Sequence, residues 1–311
     1  MAGEPQTDEK PKQSKPLDAE RPSRSGAALA SQLPATTFHE VRGQTYAVTD
    51  MGDDGPPVLL MHGWPDERSI YRHQLPVLRE AGYRAISVDW IGHGESSIPK
   101  ARSRYRVPEL SRDLVALLDS LDIDRCHLVA HDYGATVCWE FAADNSHRLI
   151  TFSALSVGPS IEILADIFKG SLFWYHWLVL HAFDRLSRWV YLRNGGKRFQ
   201  ARFGKHPDRD QILARLTGGG DQTFWTIWEA ANPSHDVLFR WFWSGRKKKI
   251  TVPTLALYSH DDVWMTIGQI SRGYRHVSAK WRFETFDCGH TLQLERPQDV
   301  NRVLLDWFAQ V

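Results

Sequence analysis

Asp132 stands where a short apolar run gives way to a helical pattern, in the stretch Ala130-His131-Asp132-Tyr133-Gly134. Small residues two before and two after it permit a very tight strand-to-helix turn. Such a turn pushes the central side chain out above a sheet, beside a helix N-terminus. A plain helix N-cap is the competing reading of an aspartate at this position. The rest of the chain argues for chemistry. Residues 254–258 form another apolar run that ends in Ser259-His260-Asp261-Asp262, and a later one ends in Phe286-Asp287-Cys288-Gly289-His290. The first presents a carboxylate just past a strand end, Asp262 being favoured over Asp261. The second presents an imidazole on a loop that Gly289 frees to aim it. Nucleophile, then acid, then histidine is the chain order in which a parallel sheet assembles a hydrolytic triad. A fourth stretch, His62-Gly63-Trp64-Pro65, directly follows the apolar run 57–61. The backbone N–H of Trp64 can pair with that of Tyr133 as an oxyanion hole, where losing one donor typically costs about 3 kcal/mol of barrier.

An aspartate suits a particular reaction. Serine must be deprotonated before it attacks, whereas a carboxylate with a pKa of about 4 is already ionised at neutral pH. It is a fit nucleophile for displacement at saturated carbon, such as an epoxide or alkyl halide carbon. Attack leaves an alkyl ester on Asp132. His290 then takes a proton from water, and Asp262 holds the imidazole in the right tautomer. The Trp64 and Tyr133 amides face the ester carbonyl, where negative charge develops.

These side chains need a frame. Residues 38–41 and 45–49 pattern as a hairpin around Gly43, and residues 57–61, 84–89, 127–130, 150–155, 254–258 and 282–286 pattern as further strands. Their continuous apolar character marks strands buried on both faces. Helical patterns at 107–121, 135–143 and 299–308 lie between and after them. This alternation predicts an α/β fold with a mostly parallel, twisted sheet flanked by helices. It lapses between residues 158 and 249, a stretch helical in character that holds seven of the thirteen tryptophans and an excess of Lys and Arg. The expected organisation is therefore a disordered tail over 1–35, a core domain over 36–157 and 250–311, and an inserted helical cap over 158–249. Bulk aromatics in the insert, Trp225, Trp228, Trp241 and Trp243 among them, read as cap core or pocket wall, which points to a bulky apolar substrate.

Composition narrows the alternatives. Lys and Arg number 38 against 37 Asp and Glu, a near-neutral balance that argues against nucleic acid as a partner. No apolar stretch reaches a membrane span, so membrane association is not expected. The three cysteines, Cys126, Cys138 and Cys288, have no metal-type spacing. Two are expected in strands and one in a helix, as buried free thiols; with no secretory signal, this points to the cytoplasm. Neither a metal nor a cofactor is called for.

The motifs together resemble the epoxide hydrolases of the α/β-hydrolase superfamily. The matching pieces are His62-Gly63-Trp64-Pro65, Val88-Asp89-Trp90-Ile91-Gly92-His93-Gly94-Glu95-Ser96-Ser97, His131-Asp132-Tyr133-Gly134-Ala135, and Gly289-His290 followed by Glu295-Arg296-Pro297. The resemblance covers residues 38–311. It implies a nucleophilic Asp132, a charge-relay Asp262, a water-activating His290 and a cap tyrosine that protonates the epoxide oxygen, for which Trp174-Tyr175 offers Tyr175. His62, His131 and Trp177 are expected to contact substrate. This chain departs from the family in having Trp241-Phe242-Trp243 where a second cap tyrosine is expected. Haloalkane and fluoroacetate dehalogenases share much of the pattern, and Tyr175-His176-Trp177 is similar to a halide-binding stretch of the latter. However, the arginines that bind fluoroacetate's carboxylate just after the nucleophile are missing here, where Tyr133 and Thr136 stand. A dehalogenase and a catalytically silent binding protein on the same fold remain the alternatives.

The tail lacks any apolar period, so it cannot offset its own ordering entropy. A truncated protein beginning at Thr36 should fold and keep full turnover. Loss of most activity or solubility on truncation would count against this division.

Overall fold

The computed structural model describes residues 33–52, 54–168, 184–204, 206–217 and 248–311. Its centre is a sheet in the order β1-β2-β4-β3-β5-β6-β7-β8. Strands β1 (Thr37–Val41) and β2 (Gln44–Met51) form the expected hairpin, turned by Arg42 and Gly43 with φ of 48° and 76°. Positive φ at both central residues gives the turn whose twist matches that of the strands it joins. β2 pairs antiparallel with β4 (Arg84–Val88), and every later pairing is parallel. β3 (Pro57–Met61), β5 (Cys126–His131), β6 (Leu149–Leu155) and β7 (Thr254–Ser259) run through the middle, and β8 (Trp281–Phe286) closes the edge.

The continuous apolar runs are explained by cover on both faces. On one face, α2 (Val107–Ser120) and α3 (Asp132–Asp144) bury Leu110, Leu114, Leu117, Val137 and Phe141 against Leu59, Ile86, Leu128 and Phe152. On the other, α1 (Gln74–Glu80) and the C-terminal α9 (Pro297–Phe308) bury Leu75, Leu78, Val303, Leu304 and Trp307 against Val58, Leu60, Val129 and Leu255. Leu33, inside the segment assigned to the tail, packs against this second cluster.

Parallel pairing brings the carboxyl ends of the strands to one edge. Met61 lies opposite Ala130, His131 opposite Leu155, Leu155 opposite Leu257, and Ser259 opposite Phe286. The residues just beyond these ends therefore meet above the sheet. Differences from the sequence reading are local. The helix expected from Ala135 already starts at Asp132, because the elbow turns directly into it. Cys288 lies past the end of β8 and not in a strand; it is buried and free, as are Cys126 in β5 and Cys138 in α3.

Within the inserted stretch, α4 (Ser160–Phe168), a helical segment α5 (Asp184–Arg202) and α6 (Arg209–Thr217) are described. The α5 segment breaks at Arg193–Gly196, where Asn194, Gly195 and Gly196 take positive φ. A short α7 (Ile267–Ser271) follows β7, and α8 (Leu292–Glu295) precedes α9. Among the described residues no helix is long and apolar enough to cross a membrane.

Candidate active site

Asp132 begins α3 with φ of 52°, a left-handed conformation that costs a non-glycine residue roughly 1–2 kcal/mol. The strain persists because neighbours leave no alternative. A Cβ on Gly134 would overlap the His62 carbonyl, and one on Gly63 would overlap the Asp132 side chain itself. The glycines thus allow the oxyanion loop and the elbow to approach more closely than larger residues could.

The two carboxylate oxygens of Asp132 have different partners. The Trp64 N–H donates to Oδ1 at 2.9 Å, and the Tyr133 N–H also donates to the carboxylate. Oδ2 lies 3.0 Å from His290 Nε2. On the far side of the ring, His290 Nδ1 donates to Asp262 Oδ2 at 2.7 Å. The Asp262 side chain is fully buried, and its Oδ1 accepts the N–H groups of Trp264 and Met265 at 2.7 and 3.0 Å. Asp261 is exposed, and its own N–H donates to the Cys288 carbonyl. The structure therefore brings Asp132, His290, Asp262 and the Trp64 and Tyr133 amides together, with Asp262 and not Asp261 on the imidazole.

Charge compensation explains the electrostatics. Burial alone would raise the Asp132 pKa, but the hydrogen bond and charge of His290, with the Tyr133 amide, hold it below the usual carboxylate range. Burial also works against the imidazolium, yet Asp262 and Asp132 hold the His290 proton well above the ordinary imidazole range. Esterifying Asp132 would remove one of those two charges and lower the His290 pKa.

Two of the residues expected to contact substrate have their rings in the interior. His62 is fully buried, with Nδ1 donating to the Gly63 carbonyl at 2.8 Å and Nε2 accepting the Trp90 N–H at 3.1 Å. Both ring nitrogens hold main chain, and burial pushes the pKa down to about 4, so the ring braces the oxyanion loop and has nothing left for substrate. His131 is also fully buried; its Nε2–H donates to the His290 carbonyl at 3.0 Å, turning it away from a substrate-contacting role. For His131, the last residue of β5, strand alternation accounts for this, since the residue next to the one that projects above the edge points elsewhere. Tyr133, in the first turn of α3, also points inward: its ring stacks on His93 at 5.7 Å, inside the core, leaving the backbone N–H at the site. Tyr175 and Trp177 lie outside the described residues.

Several site residues have no local signal in the sequence. Phe203 and Trp264 stand 5.0 Å apart, and Phe203 meets the Trp64 ring edge-on at 5.8 Å. Phe203 and Trp264, with His206, His260 and Glu295, line a cavity of about 490 Å3 that reaches His290 and Asp262 on the side of the imidazole away from Asp132. His206 Nε2 also pairs with Asp66 Oδ1 at 3.0 Å. Arg72 grips Asp208 with both terminal nitrogens at 2.8 and 3.0 Å, while Arg215 bonds Glu67 at 2.8 Å and also the Pro65 carbonyl. The segment 206–215 is thereby fastened to the loop that supplies the Trp64 amide. Aromatic density near the insert was visible in the sequence; these particular pairings were not.

Comparison with known proteins agrees with this architecture. Residues 56–297 match the alpha/beta hydrolase fold family. Epoxide hydrolase A of Mycobacterium tuberculosis (strain ATCC 25618 / H37Rv) is 28% identical over 318 residues, spanning 89% of this chain and 98% of its own. Bifunctional epoxide hydrolase 2 of Sus scrofa is 26% identical over 83% of this chain, which spans 52% of that longer protein. Among solved structures, epoxide hydrolase A from Mycobacterium thermoresistibile is similar with a TM-score of 0.70 at 24% identity, covering 88% of this chain and 98% of its own. Epoxide hydrolase VrEH1 from Vigna radiata has a TM-score of 0.72 at 20% identity, covering 89% and 98%.

The His206–Asp66 pair carries a pH signature. Burial disfavours both charges, but Asp66 raises the His206 pKa and His206 lowers that of Asp66. Its stabilisation is fully present between about pH 4 and 6.5, the unfolded values of the two groups. It is lost as pH rises through the raised His206 pKa, and as pH falls through the depressed Asp66 pKa. His206→Gln should cost about 3 kcal/mol near neutrality, because it leaves a buried carboxylate uncompensated. Melting curves of both proteins should converge in alkaline solution. A deficit that stays constant with pH would exclude the ion pair as its source.

Proposed function

The chain belongs to the α/β-hydrolase fold family, and on that premise we propose that it is an epoxide hydrolase, opening an epoxide to a vicinal diol through an ester on Asp132. The observation that carries this reading is the division of labour on the Asp132 carboxylate, with Oδ1 on the Trp64 amide and Oδ2 facing His290. A nucleophile whose one oxygen is held by amides attacks with the other. Oδ2 forms the new bond to an epoxide carbon, the C–O bond breaks, and the ring oxygen leaves as an alkoxide on the same molecule. Tyr175 supplies the proton. Oδ1 is then the ester carbonyl oxygen, already seated in the oxyanion hole.

The second half uses the imidazole. His290, freed of the Asp132 charge, first gives up its own proton to solvent, to be regained after turnover, and then takes a proton from water while Asp262 stabilises the imidazolium. Hydroxide adds to the ester carbon, and the two amides hold the oxyanion. Collapse expels the diol oxygen, which takes the proton from His290. The proton left on the regenerated carboxyl returns the tyrosine phenolate to its neutral form. One water is consumed per epoxide.

The substrate is a small molecule, and the Trp64, Phe203 and Trp264 rings support an apolar, bulky one. Residues 158–249 act as the cap over this site, with Trp177 among the substrate contacts. The free buried thiols support a reducing, cytoplasmic setting.

Tyr175→Phe should slow ester formation far more than ester hydrolysis in single-turnover measurements. An unchanged alkylation rate would transfer the proton-donor role elsewhere, to His176 first.

The covalent route also has an isotopic consequence. One turnover in heavy-oxygen water with excess enzyme should yield a diol containing ordinary oxygen, the label appearing in Asp132 instead. Asp132→Asn, assayed fresh to avoid deamidation, should fold and lose nearly all turnover. Label in the first-turnover diol would mean that water attacks the substrate directly, and the ester mechanism would fall.

A further inference from the structure

His290 stands on a loop beyond the end of β8, so sheet pairing does not fix its direction. Side chains do. The peptide that follows His290 is gripped at both ends. Its carbonyl accepts two hydrogen bonds, from Ser156 Oγ at 2.8 Å and from His131 Nε2 at 3.0 Å. Its N–H, on Thr291, donates to the Glu295 carboxylate at 3.3 Å, which also accepts the Gly289 N–H at 2.7 Å and the Thr291 hydroxyl at 3.0 Å. The backbone on either side of the imidazole is therefore held by one carboxylate and two donors from distant parts of the chain.

Each of these groups is placed with evident constraint. Ser156, just past the end of β6, takes a left-handed conformation, φ 67°, which disfavours any residue with a Cβ. Its own N–H donates to Leu257 and its carbonyl accepts from Gln269, so the hydroxyl has a fixed origin from which to reach His290. His131 lies 4.9 Å from the His290 ring, centroid to centroid, and burial keeps it neutral with a pKa of about 4. Neutrality matters, because a charge there would oppose protonation of His290. Glu295 caps the loop so closely that a Cβ on Gly289 would meet its carboxylate.

In the reaction proposed above, Asp132 forms the ester without help from the imidazole, and His290 is needed only to hydrolyse it. We propose that Ser156, His131 and Glu295 are positioning residues for the hydrolytic half of the reaction, acting through the main chain of His290. The inference rests on the reading of Asp132 as nucleophile and His290 as base. Its physical content is aim. A misplacement of about 1 Å in a reacting group can cost roughly 100-fold in rate, and these bonds set where the imidazole Nε2 meets the water. The Ser156 hydroxyl, the His131 N–H or the Glu295 carboxylate could be lost while Asp132, held by its own amides, stays in place.

The test separates the two half-reactions. Ester formation and ester hydrolysis are measured by rapid-quench intact mass, using the first aryl epoxide the wild-type enzyme turns over, beginning with styrene oxide. The variants are Ser156→Gly, which suits the positive φ while removing the hydroxyl, and Glu295→Gln. The ratio of hydrolysis rate to formation rate should fall about tenfold in each, the scale of one lost hydrogen bond, so that ester accumulates at steady state. His131→Gln, which keeps an N–H donor, should retain more hydrolysis than His131→Phe. If Glu295→Gln does not fold, Ser156→Gly and the His131 pair decide the matter. Ester trapped in His290→Ala, together with unchanged ratios in these variants, overturns this inference alone. An equal fall of both rates, the mark of a merely structural role, does the same. No ester in His290→Ala overturns the nucleophile reading and this inference with it.

Discussion

A carboxylate held ready inside a protein is the constraint from which the rest of this structure follows. Asp132 is useful only while ionised, and burial opposes ionisation. The opposition is met by two backbone N–H groups on one side and an imidazolium on the other. Each compensating group has its own requirement. The amides need a tight elbow and an adjacent loop, and these need glycine at positions 63 and 134. The imidazolium needs a second carboxylate behind it, and Asp262 is fixed there because two amides hold its other oxygen.

The same accounting of charge explains how one site performs two opposite tasks. In the free protein Asp132 and His290 stabilise each other's charged forms. In the proposed ester that mutual support ends, since an ester carries no charge. The imidazole loses part of what held its proton and keeps the Asp262 partner that orients it. A change in proton affinity is thus built into the covalent step, with no movement of the backbone required.

The loops around the site are fixed by similar means. Trp64 belongs to a segment fastened to residues 206–215 by the His206, Arg72 and Arg215 contacts. The His290 loop is fastened to Ser156, His131 and Glu295. Loops carry function because a rigid scaffold supports them. Here the scaffold extends beyond the sheet into side chains that accept and donate to loop backbone. His62 belongs to this group as well, bracing one loop through Trp90 while its neighbour Gly63 lets the nucleophile in.

The frame and the meeting of Asp132, His290 and Asp262 were legible in the sequence for a local reason. Apolar runs such as Pro57–Met61 and Thr254–Ser259 define buried strands, and parallel pairing must put the residues after them on one edge. That alone brought Asp132, the acidic pair 261–262 and His290 into one neighbourhood. What the sequence could not decide was direction and partnership. His62 and His131 look like site ligands by position, yet the fold turns both rings into the interior, where main-chain groups take them. Asp261 and Asp262 are neighbours of the same type, and only the turn after β7 sends one to the imidazole and leaves the other exposed. The His206–Asp66 pair joins residues 140 positions apart, and Ser156 reaches His290 across 134. Local pattern determines which element a residue belongs to and which edge it sits on. Which polar atom it finally meets depends on packing between distant segments, where every buried donor and acceptor competes for the partners within reach.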